Sequence, residues 1–151
     1  VLFRSVKDVN GAGGGQGVLH GDFAFRREQA LKTDAIKEIG WMTLKPGSYI
    51  GSHTHKDNED AYLIISGKGI FTDGNGHAWV VGAGDMTIAR PGQTHGLANL
   101  GKEDLVFLDI IAKNINLKNI NHYHVYLCTS KIINIKMSML HLICISRKAV
   151  F

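Results

Sequence analysis

The sequence predicts an all-β domain, a sandwich or barrel, between Val18 and Ala112, and three observations point there. Short runs rich in β-branched and aromatic residues are separated by glycine-containing turns about every 8 to 12 residues, the rhythm of strand–turn–strand rather than of βαβ units. All 18 glycines lie between Gly11 and Gly101, and both prolines, Pro46 and Pro91, lie in the same window, so turn chemistry is confined to one part of the chain. Only Arg26 to Leu31 reads as a helical turn.

In chain order the candidate strands are Val18 to Phe25, Glu38 to Lys45, Ser48 to His53, Ala61 to Ser66, Gly69 to Thr72, Ala78 to Val81, Asp85 to Ile88, His95 to Asn99 and Asp104 to Ile111. Between two of them, Asp73-Gly74-Asn75-Gly76 is a hairpin signal, because Gly and Asn tolerate the positive φ of tight turns. Residues 1–17 are expected to stand outside the fold. Val1-Leu2-Phe3-Arg4-Ser5 resembles a translated sequencing-adapter end and is set aside. Gly11-Ala12-Gly13-Gly14-Gly15-Gln16-Gly17 reads as a flexible lead-in: its glycines are in neither G-x-G-x-x-G nor Walker order, and no Lys-Ser/Thr follows. Residues 113–151 form an atypical tail, expected to lie outside the barrel. They lack Gly, Pro, Asp and Glu, and their Ile, Asn, Lys, Leu and Ser bias is that of translated A/T-rich non-coding sequence.

A chain of 151 residues with 44% apolar content is sized for one domain. The formal charge of +4 would suggest a polyanionic partner, but six of the 17 basic residues lie after residue 112, where there is no acid. Residues 1–112 carry 11 basic and 13 acidic groups, so a nucleic-acid footprint on the folded part is not expected. Both cysteines, Cys128 and Cys144, lie in the tail, which excludes a disulfide within the domain. No membrane partner is expected either, since no run approaches the ~18 apolar residues of a spanning helix. The expected location is the cytoplasm.

The chemistry is concentrated in histidines and carboxylates. His53-Thr54-His55 places two imidazoles at strand spacing, on one face. Glu59 and Asp60 follow, and His95 begins a later strand. Three imidazoles and a carboxylate make a common ligand set for Fe²⁺, Mn²⁺, Ni²⁺, Co²⁺ or Zn²⁺, whereas a His-x-His pair alone is more often plain surface chemistry. His20, His77 and the pair in His122-Tyr123-His124 have no such company. Tyr62, Phe71, Trp79, Met86 and Phe107 are candidates to line a pocket or to serve as ordinary core, with Tyr62 foremost because it shares Asp60's face. Arg90 is a candidate to hold an anionic group; a solvated turn residue is its other reading.

Glycines frame these residues at fixed intervals. From Gly47 the chain runs five residues to His53, one more to His55, four to Asp60 and six to Gly67. From Gly84 it runs five residues to Arg90-Pro91-Gly92, two to His95 and three to Asn99. The first run resembles the first cupin motif, G-x5-H-x-H-x(3,4)-E-x6-G, with Asp in the Glu place. The second resembles the second cupin motif, G-x5-P-x-G-x2-H-x3-N, with its proline one place late. The resemblance implies a cupin double-stranded β-barrel, jelly-roll-like, of two antiparallel sheets over residues 18–112. It implies one divalent metal held by His53, His55, His95 and a carboxylate. Counting back from Gly67 selects Asp60, while residue type selects Glu59, and strand alternation allows only one of the two without a bulge. Asn99 is expected to tie down a loop. The function implied is a metal-dependent enzyme acting on a small organic molecule, of isomerase, decarboxylase or dioxygenase type. The alternative is a non-catalytic cupin that binds metal or a small ligand for sensing. A homodimer paired through sheet edges is expected.

Overall fold

The computed structural model of the chain describes residues 5–113. Its strands are β1 (Ser5–Asn10), β2 (Val18–Phe25), β3 (Ile36–Leu44), β4 (Tyr49–Thr54), β5 (Asn58–Ser66), β6 (Lys68–Asp73), β7 (Ala78–Gly82), β8 (Met86–Ala89), β9 (Thr94–Ala98) and β10 (Leu105–Lys113), with short 3₁₀ turns at Ala12–Gly14 and Arg27–Gln29. They form two antiparallel sheets, ordered β1-β2-β3-β10-β5-β8 and β4-β9-β6-β7. Strand alternation turns one face of each sheet inward, where Leu44, Ile64, Leu97, Leu105, Phe107 and Ile111 are fully buried. Each such side chain contributes about 1.5 to 3 kcal/mol by leaving water.

The nine expected strands are all present, each within about three residues of its expected ends. The Asp73–Gly76 turn joins β6 to β7, and the Asp73 carboxylate accepts from the main-chain N–H of Asn75 and of His77, at 2.9 Å each. Gly67, at φ +81°, makes the tight turn from β5 to β6, where a Cβ would overlap the Asp104 carbonyl. Asn99 is fully buried and ties the loop after β9 to the end of β3. Its Nδ2 donates to the carbonyls of Leu44 and Glu103 at 2.8 Å, and its Oδ1 accepts from the Gly101 N–H at 3.0 Å.

One expectation is overturned. The segment read as a flexible lead-in carries a strand, β1, which pairs with β2 from Ser5↔Phe23 to Asn10↔Val18, so Ser5 belongs to the sheet. The glycine run after it docks on β4: Gln16 and Tyr49 exchange main-chain hydrogen bonds at 3.0 and 2.9 Å. A Cβ on Gly15 would overlap the Tyr49 carbonyl, and one on Gly51 would overlap that of Gly13. The glycines therefore serve close approach of one backbone to another, a use that has the same composition as a linker. At the other end, β10 extends one residue beyond the expected limit, and the remainder of the tail lies outside the described residues.

Candidate metal centre

His53 and His95 sit directly opposite one another in the β4–β9 ladder. Their inward aim depends on an irregularity. Ile50 pairs with Leu97 and His53 with His95, so Gly51 and Ser52 together oppose Gly96 alone. Simple alternation from buried Ile50 would turn His53 outward; the extra residue restores its inward phase. His55 lies just past β4 and is held by its own main chain, its N–H donating to the Gln93 carbonyl and its carbonyl accepting from Gly92. The three rings form a near-equilateral triangle, with centroids 4.6 to 4.9 Å apart.

The carboxylate comes from the other sheet. Asp60 on β5 is buried in phase with Tyr62 and Ile64, while Glu59 falls on the alternate face. Asp60 Oδ2 lies 3.1 Å from His55 Nε2 and 3.3 Å from His95 Nε2, and those two nitrogens are 3.0 Å apart. One ligand atom from each of His53, His55, Asp60 and His95 falls within 4.8 Å of the other three. Glu59 is not in this group.

The surroundings fit a cation. His55 Nδ1 donates to Asn58 Oδ1 at 3.0 Å and His53 Nδ1 to the Gly51 carbonyl at 2.9 Å. In the neutral rings this leaves both Nε2 lone pairs bare, as a metal requires. His55 Nε2, His95 Nε2 and Asp60 Oδ2 face one point, a place for a shared proton or for a metal ion. Burial would push the Asp60 carboxyl up, but hydrogen bonds from His55 and His95, with Asp109 adding to them, hold it well below the usual carboxylate range. The Asp60 hydrogen bond raises His55, whereas burial lowers His53. The cluster is therefore able to bind a divalent metal, with an anionic oxygen and three nitrogen donors.

Tyr62 is buried and stacks on His95, centroids 5.0 Å apart, with Phe107 behind it at 4.8 Å. A cavity of about 300 Å³ reaches the cluster, lined there by His53, Asp60 and Tyr62 and towards the surface by Lys7, Arg26 and Arg27. A second cavity, of about 530 Å³, meets His95 from another side, past Phe71 and Trp79. Arg90 lines neither; it is exposed in the turn after β8, where its N–H donates to Gln93 Oε1 at 2.8 Å. Met86 faces outward at 77% exposure, and Phe107 is core.

Sequence reasoning passed over Asp109 and Glu38. Asp109 sits on β10 in phase with Phe107 and Ile111, and burial followed by the Asp60 charge pushes its carboxyl well up. A single acid in the otherwise apolar run Leu105 to Ile111 was a readable signal. Glu38 on β3 faces the first cavity, half-buried and pushed up by burial, with Arg27 Nε at 3.8 Å. Nothing local marked it.

The comparisons with known proteins meet this geometry at the same residues. A family model described as a cupin domain matches residues 40–111, which hold both motifs and all four donors. The chain belongs to the cupin family. This cupin is 40% identical over 70 residues to an oxalate-binding protein of Thermotoga maritima, an alignment covering 46% of this chain and 57% of that protein. It is 28% identical over 83 residues to a gentisate 1,2-dioxygenase of a Ralstonia species, covering 55% of this chain and 23% of that one. It thus spans little more than half of one curated relative and about a quarter of the other. The fold resembles a crystal structure from Thermotoga maritima described as a predicted oxalate decarboxylase, with a TM-score of 0.67 and 28% identity over 76% of this chain and 99% of that one.

Proposed function

We propose that this cupin holds one divalent transition metal through His53, His55, Asp60 and His95 and binds a small dicarboxylate of the oxalate class on it. The observation that carries the reading is the position of the cluster in a cavity also lined by Lys7, Arg26 and Arg27, cations that can meet an anionic ligand although Glu28, Glu38 and Asp109 line it too. Both Thermotoga maritima matches, the curated protein named for binding oxalate and the crystal structure described as a predicted oxalate decarboxylase, support the same class of ligand. When bound, the metal supplies Lewis-acid attraction for carboxylate oxygens. The chain orients the ligand between Tyr62 and Arg26 and keeps Asp60 ionised.

Turnover is the second reading, favoured by Glu38. Loss of CO₂ from a dicarboxylate leaves a carbon that must take a proton, and a half-buried carboxyl with a raised pKa in the same cavity can hold one. Purified chain would be assayed for metal content, then mixed with Mn²⁺ or Fe²⁺ and oxalate while binding, CO₂ release and oxygen uptake are followed. Binding with CO₂ release establishes a decarboxylase, and binding without turnover a ligand-binding cupin. Oxygen uptake with a phenolic acid in place of oxalate binding would overturn both in favour of dioxygenase chemistry.

We infer also that two copies of the chain pair through the outer face of the six-stranded sheet. Trp41, Leu108, Leu63 and Met86 lie in register across β3, β10, β5 and β8, next to a row of Ile110, Ala61 and Ile88. Trp41, Met86 and Ile88 are 46%, 77% and 44% exposed, an apolar band of the kind that marks an interface.

A further inference from the structure

The first cavity has a second polar locus, away from the histidines and outside the stretch that matches the cupin family. Arg26, at the end of β2, lines it with Lys7 of β1. The Arg26 Nε is buried and has no hydrogen-bond partner among the described residues. An unpartnered buried guanidinium N–H is costly, and an arriving carboxylate would satisfy it with a charge-assisted hydrogen bond. The nearest carboxylate is that of Glu28, an exposed side chain that straddles the two cations without hydrogen-bonding to either: Oε2 is 3.8 Å from Arg26 Nε and Oε1 is 3.7 Å from Lys7 Nζ. Arg27 differs in that its main-chain N–H donates to Glu38 Oε2 at 3.4 Å, while its Nε stands 3.8 Å from Oε1, as far as Arg26 Nε does from Glu28. Two cations are therefore held at carboxylate spacing by a side chain that is free to leave.

We propose that Arg26 and Lys7 form an anion subsite for the carboxylate of the ligand that faces away from the metal, and that Glu28 occupies this subsite until the ligand displaces it. The inference rests on the dicarboxylate reading above and deepens it, by assigning ligand selectivity to β1 and the β2 end. A monocarboxylate can satisfy the metal but leaves the cation pair to Glu28; a dicarboxylate satisfies both. Selectivity for two negative charges follows from the cavity presenting both the cluster and the cation pair to one ligand, and removing the internal competitor strengthens binding.

The test is titration of the metal-loaded full chain with oxalate, malonate, succinate and acetate by calorimetry, for the parent and for Arg26→Gln, Lys7→Gln and Glu28→Gln. Metal content and thermal midpoint are read on each variant, and the Lys7 and Glu28 variants keep the test decisive should Arg26→Gln fail to fold. The expected result is a loss of tenfold or more in affinity for the preferred dicarboxylate in Arg26→Gln, a smaller loss in Lys7→Gln and a several-fold gain in Glu28→Gln, with acetate affinity and metal content unchanged throughout. A parent that binds a dicarboxylate as tightly as all three variants do overturns the subsite and leaves the metal reading standing. A parent that holds metal but binds no dicarboxylate overturns both.

Discussion

At the scale of the residue, the centre depends on which ring nitrogen carries the proton. Asn58 accepts from His55 Nδ1, so Asn58→Ala removes the group that holds the proton on Nδ1 and leaves Nε2 free for a metal. Metal affinity should fall about 10- to 100-fold, measured by competition with a chelator. His53→Ala should release most of the metal and leave the barrel folded, because His53 is half-buried and contributes little to the core; a variant that kept parental affinity would remove His53 from the ligand set. The pH dependence has a definite sign. His55, raised by Asp60, stabilises the metal-free fold below the unfolded histidine value of about 6.5 and loses that contribution as pH rises through its folded value. His53, lowered by burial, does the reverse. Metal binding needs both rings neutral, and His55 keeps its proton to above the free histidine value. The rise in melting temperature on adding metal should therefore start to shrink before pH falls to about 6.5 and shrink further below it. Asp60 does not set this limit, since it is held below the usual carboxylate range and stays ionised. An undiminished metal effect at pH 5 would contradict imidazole ligation.

Among the elements, β4 carries the most consequence per residue. Its bulge at Gly51 and Ser52 aims His53 inward, and the glycine loop after β1 rests on the same bulge, with a Gly13 Cβ position only 3.0 Å from His53 Nδ1. Gly51→Ala and Gly15→Ala should therefore lower stability by about 1 to 3 kcal/mol, as overpacking does, and should also weaken metal binding, a paired loss visible in denaturant titration with and without metal. Asn99→Ala should cost a similar amount, about 1 to 3 kcal/mol, by orphaning the Leu44 and Glu103 carbonyls, but should leave metal affinity unchanged.

These elements also divide what could be read in advance from what could not. The strands from β2 to β10 were legible because alternation and glycine turns are local signals, and the grouping of His53, His55, Asp60 and His95 because two motifs fix their intervals. The choice of Asp60 over Glu59 needed the phase of Tyr62 and Ile64 on a strand whose start had been placed three residues late. The docked glycine loop was hidden, since a sequence that lets two backbones touch is indistinguishable from one that merely bends. Lys7, Arg26 and Glu38 carried no local mark at all. They meet only because β1, β2 and β3 are neighbours in one sheet.

On the scale of the whole molecule, the three imidazoles belong to the four-stranded sheet side and the carboxylate to the six-stranded sheet. Metal binding should therefore stabilise the fold globally rather than one loop. At a free metal concentration 100 times the Kd the gain is about 2.7 kcal/mol, and a chelator should lower the melting temperature by several degrees. The apolar outer band predicts that Trp41→Glu shifts the sedimentation coefficient from that of a dimer to that of a monomer without releasing metal; a monomeric parent would refute the pairing. The bridge across the layers has one more implication. Ligand atoms anchored in opposite walls can approach or part only as far as the side chains between the walls allow, so the thickness of the packed interior works as a calliper on ionic radius. Trimming the filler behind Tyr62, as in Phe107→Leu, should alter which cation the protein prefers even though that residue touches none.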